Sequence, residues 1–143
     1  MSDYTQTRPD GSLQCWTAFT QHWEGRNTNP VSTCLTWFPA DPIAVRAEFF
    51  NPLNGDSVEW FISRDLLAAG MLTPTGCGDV RVLPPVGGML RIVLDSPSGH
   101  ADFSADADLI GDFLTRTYLA CPGGEEFDAL DVEAELMSLL EAS

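Results

Sequence analysis

The chain has 143 residues and a formal net charge of −14, from 21 acids against seven arginines and no lysine. That length suits one domain with a core that needs no staple, and 44% hydrophobic with 20% charged residues describes a globular chain. The charge argues against nucleic acid and against anionic lipid as partners, because both attract clustered Lys and Arg.

No apolar run is long enough to span a bilayer. The first dozen residues, MSDYTQTRPDGS, hold no apolar core of a secretory signal, so a cytoplasmic location is expected. Residues 1–12 read as a flexible polar arm, and residues 13–143 as a single domain. Leu13–Trp23, rich in aromatics and Thr, reads as a strand, and 31–38 as a second strand ended by Pro39.

Residues 43–50 carry the clearest pattern. Ile43, Val45, Ala47 and Phe49 share one face, and Ala44, Arg46, Glu48 and Phe50 the other, the alternation of a half-buried antiparallel strand. Asn54-Gly55 marks a tight turn, since both residues tolerate positive φ. Residues 57–63 alternate again with Val58, Trp60 and Ile62 on one face, which completes a hairpin and places Trp60 in the core.

Ser63 is placed to cap a short helix that Gly70 would end in a left-handed conformation. Val80–Leu83 reads as a strand stopped by Pro84-Pro85. Met89–Leu94 and His100–Ser104 read as strands that pair with each other. Ser104 or Asp106 caps a helix to about Ala120, with Leu109, Ile110, Phe113, Leu114, Thr117 and Tyr118 on its apolar face. Asp128 caps a second helix over about 129–141, with Val132, Leu136, Leu139 and Leu140 on one side. Strands first and helices last make the class α+β with an antiparallel sheet.

No motif carries catalysis. Gly76, Gly78 and Asp79 read as a structural turn, in which glycine permits positive φ and Asp caps a backbone amide. A thiol nucleophile at Cys77 with His100 as base has no local signature. Cys15, Cys34, Cys77 and Cys121 lack the close-spaced pairs of a zinc site, so no metal or cofactor is expected. Asp102, Asp106, Asp108 and Asp112 lack calcium-loop spacing and suit a helix start. His22 and His100 read as hydrogen-bonded or exposed side chains. Trp16, Trp23 and Trp37 are either core or partner anchors; alternation leaves their facing open.

Four blocks, ADPIAVRAEF (40–49), VEWFISRDLLAAG (58–70), PTGCGDVRV (74–82) and FDALDVEAELMSLL (127–140), resemble in order and spacing the SsgA-like proteins of sporulating actinomycetes. The likeness covers roughly Leu35 to Ser143. Residues 1–34 follow the family's first strand less closely and add Trp16, Trp23 and Cys34. The resemblance implies a curved, barrel-like antiparallel sheet related to the whirly single-strand binders, assembled as a homotrimer. It also implies a non-enzymatic regulator of septum formation that acts on the division machinery, with FtsZ or an SsgA-like paralogue as partner, and without membrane insertion. A single-stranded nucleic-acid binder is the alternative that the whirly likeness suggests and the charge opposes. Residues 122–143 hold seven acids and no arginine. Asp131, Glu135 and Leu136 are the expected partner-binding residues there.

Overall fold

A computed structural model describes residues 3–23, 27–76, 78–97 and 99–122. Among these residues eight strands and two helices follow one another: β1 Tyr4–Thr7, β2 Leu13–His22, β3 Thr28–Phe38, β4 Asp41–Phe50, β5 Ser57–Ser63, α1 Arg64–Gly70, β6 Val80–Val86, β7 Met89–Ser96, β8 Gly99–Asp106 and α2 Ala107–Ala120. The strands form one antiparallel sheet in the order β5-β4-β3-β2-β8-β7-β6. The second expected helix, with Asp131, Glu135 and Leu136, lies outside the described residues, as does Cys77.

Period-2 alternation decides which side is buried. The inner face carries Leu13, Cys15 and Phe19 of β2, Val31, Leu35 and Trp37 of β3, and Val45, Ala47 and Phe49 of β4, all buried. Phe103 and Ala105 of β8 and Leu90, Ile92 and Leu94 of β7 continue it. Phe49 stacks on Phe103 at 4.6 Å between ring centroids, and Phe19 meets both edge-on. Each such side chain, removed from water, contributes about 1.5–3 kcal/mol. The sheet curls around this layer into a half-barrel. Helix α2 packs on it through Ile110, Phe113 and Leu114, the face that its periodicity marked.

The curl depends on β2 changing partners. Residues Leu13–Trp16 pair with β1, while Thr20–His22 pair with β8. Tyr4–Thr7, expected to belong to a flexible arm, instead runs antiparallel to β2. The turn between them is built by Pro9-Asp10-Gly11, with Gly11 at φ +86° and Asp10 Oδ1 accepting from the Ser12 N–H at 2.9 Å.

Two more expectations give way. Gly70 is the last residue of α1 and is not left-handed. Its glycine is required by contact, because a Cβ there would lie 2.2 Å from Val82 Cγ1. Strand β6 runs through Pro84-Pro85 to Val86 with a shift of register, as an edge strand permits. Ser63 caps α1 as expected, accepting from the Leu66 N–H, and Asp106, not Ser104, caps α2 through the N–H groups of Asp108 and Leu109.

Candidate interaction surface

A half-barrel has a seam where its first and last strands fail to meet, here between β5 and β6. At one end α1 closes it. Leu67 is buried in the core and Gly70 lies against Val82 of β6. Toward the other end a groove of about 810 Å³ opens on the inner face beside β5, lined from β2, β3, β4, β5, β7 and β8. Its floor is the inner-face layer of Phe49, Phe103, Val31 and Leu94, and its wall is Trp60 and Val58 of β5.

The mouth of this groove is apolar where water would favour polar groups. Leu53 is 93% exposed, Val58 60% and Trp23 54%. Leu53 belongs to the β4–β5 turn around Asn54-Gly55, where Gly55 has φ +77°. Trp23 follows β2 and donates its indole N–H to Asn29 Oδ1. The sequence placed Val58 and Trp60 on the core face, and that is their side. The open seam leaves Val58 exposed and Trp60 half-buried. Asp56 is the one ionisable side chain among the described lining residues.

The tryptophans separate into three roles. Trp37 is fully buried and donates to the Pro42 carbonyl at 3.0 Å. Trp16 lies on the outer face and stacks on Phe50 at 5.7 Å. Its cross-strand neighbour Cys34 is thereby only 2% exposed although it too faces outward. Of the three, Trp23 alone is exposed.

Beside the closed end lies a charge that sequence reasoning missed. Arg64 is fully buried. Its Nη1 donates to the carbonyls of Thr117 at 3.1 Å and Cys121 at 2.9 Å, at the C-terminus of α2, and its guanidinium lies 4.1 Å from the Tyr118 ring centroid. A cation opening α1 opposes that helix's own dipole, and that mismatch was the available signal. Here the charge serves the negative end of the neighbouring helix. Tyr118 donates its hydroxyl to Asp65 Oδ1, and burial first, then the Asp65 contact, raises its pKa well above the usual phenol value.

The remaining described candidates have these surroundings. Gly76 and Gly78 have φ of +98° and +91°, and a Cβ on Gly76 would meet the Val80 carbonyl at 2.3 Å. Asp79 follows them, and its carbonyl accepts from the Asp95 N–H at 2.8 Å. His22 shares a hydrogen bond with Ser104, and His100 pairs with Asp95, each at 2.6 Å. Asp102 holds Arg91, and Asp106 caps α2. Burial raises the pKa of the Cys15 and Cys34 thiols, which keeps them protonated. Among the described residues no three of His, Cys, Asp and Glu are grouped to hold a metal, and no helix is long and apolar enough to cross a membrane.

Fold and surface together define an α+β half-barrel whose most distinctive feature is an open apolar seam. Comparison with known proteins places it further. The chain matches the SsgA family, described as Streptomyces sporulation and cell division protein, over residues 31–126, and it belongs to that family. The sporulation-specific cell division protein SsgB of Streptomyces coelicolor is 43% identical over 117 residues, covering 80% of this chain and 85% of that one. Its namesake in Thermobifida fusca is 40% identical over 110 residues, or 75% and 79% of the two chains.

Two solved structures share the fold. The SsgA-like sporulation-specific cell division protein of Thermobifida fusca superposes with a TM-score of 0.76 at 34% identity, covering 93% of this chain and 98% of that one. A structure described with SsgB mutations that correlate with longitudinal cell division during sporulation of Streptomyces coelicolor gives 0.74 at 38% identity, covering 79% and 91%.

Proposed function

We propose that this chain acts in sporulation-type septation without catalysing a reaction, recruiting or positioning the division machinery through protein–protein contacts. FtsZ, an SsgA-like paralogue, or both are the partners. The observation that carries this reading is the cluster of exposed apolar side chains at one end of the sheet, Trp23, Leu53 and Val58. Exposed apolar groups gathered around a groove mark a contact surface, whereas single scattered ones do not. The names of the relatives supply the process.

Recruitment works in this reading by repetition. A homotrimer presents several copies of one weak site, so a filament-forming partner is held by avidity that no single contact supplies. The site is cytoplasmic and concentrates at the septum. A fluorescent fusion of the full chain, imaged in sporulating cells beside labelled FtsZ, tests this. Bands that coincide with the FtsZ ladder are expected. Diffuse fluorescence throughout septation would defeat the proposal.

A further inference from the structure

Strands β5 and β6 flank the seam, and they run in the same direction because six antiparallel steps separate them. Their edges are not equivalent. Val82 of β6 is already bridged on its outer side by Thr75, with N–H···O contacts of 2.9 Å both ways. Among the described residues β5 pairs with β4 alone, so the main chain of Ser57–Ser63 presents a row of donors and acceptors beside the groove. Val58 and Trp60, at alternate positions on that strand, face into it.

We propose that the groove binds an extended segment of another protein, added as a strand to the open edge of β5. Its apolar side chains at alternate positions would enter the groove, with arginine or lysine at the end that reaches Asp56. This inference rests on the recruitment reading and names the site that recruitment would use. Strand addition gives affinity through main-chain hydrogen bonds and selectivity through alternate side chains. A volume of about 810 Å³ over an aromatic floor accommodates several of these.

Charge selects the occupant. Asp56 and Asp79 immediately precede the two edge strands and so sit at the same end of the seam. The nearby arginines on the outer face are engaged, Arg46 with Glu59 and Arg81 with Asp95, both at 3.8 Å. Asp56 at the groove and the net charge of −14 therefore favour a basic segment. A second copy of this chain, at −14, would meet it with like charge.

The test is fluorescence anisotropy on the full chain with a labelled peptide as long as β5. The peptide alternates valine or phenylalanine with threonine and carries arginine at both ends. Two further versions are N-methylated on the nitrogens of one edge or of the other. Saturable binding is expected, weakened at least about tenfold by one methylated version and not by the other, since alternate amides face the β5 edge. Val58→Arg, at an exposed position, should weaken binding about tenfold with an unchanged melting temperature, and glutamate in place of the terminal arginines should do the same. Absence of binding, equal affinity for all methylated forms, or wild-type affinity in Val58→Arg would overturn the proposal. So would a fall in molar mass on Val58→Arg by light scattering, which would make the groove an interface between copies. The peptide contains no division protein, so its failure leaves recruitment standing, and lost recruitment with intact peptide binding leaves the groove standing.

Discussion

Gly70 shows how little room the closed end of the seam has. An alanine methyl would be placed 2.2 Å from Val82 Cγ1, so α1 or β6 must shift. Overpacking of this kind costs about 1–3 kcal/mol, and Gly70→Ala should lower the midpoint of thermal unfolding accordingly. A midpoint unchanged in Gly70→Ala would refute the contact. Tyr118 gives a pH signature nearby. Its folded pKa is raised, by burial and by Asp65, above the roughly 10 of an unfolded tyrosine. Its contribution is therefore complete below about pH 10 and is lost as pH rises toward the folded value. Denaturant unfolding over an alkaline series should show stability falling with pH, and less steeply in Tyr118→Phe. Equal slopes for both proteins would remove Tyr118 from the account.

At the scale of elements, caps and alternation explain most boundaries. Asp106 accepts from two N–H groups that α2 would otherwise leave unsatisfied. Asp106→Ala should cost about 0.5–2 kcal/mol, read from denaturant midpoints, and a smaller loss in Asp108→Ala is the control. The alternation of β4 and the helical spacing of α2 were readable because each face is buried continuously, so side-chain polarity reports it. Gly70 was misread because helix end and close approach both select glycine, and only the neighbour at Val82 tells them apart. The short β1 was missed because its four residues are polar, although Pro9-Asp10-Gly11 carried the turn signal. Arg64 was overlooked because its partners at Thr117 and Cys121 lie more than fifty residues away.

For the whole molecule, two properties combine: an apolar seam left open by topology, and a charge of −14. The seam was not readable in the sequence, because no local pattern says which strands become edges or that β2 divides itself between β1 and β8. The charge was readable at once. Half of it resides beyond Pro122, where Asp131 and Glu135 lie. Replacing Asp131 and Glu135 together by arginine should weaken partner capture several-fold without changing the melting temperature. Unaltered capture would separate the tail from recruitment and leave the seam as its only candidate.

The central claim is that the chain holds the division machinery directly. Co-sedimentation of the purified full chain with polymerising FtsZ from the same organism, with molar mass by light scattering alongside, tests it most directly. The account predicts a trimer that pellets with polymer and remains in the supernatant without it. A chain that stays in the supernatant at every FtsZ concentration would contradict direct recruitment.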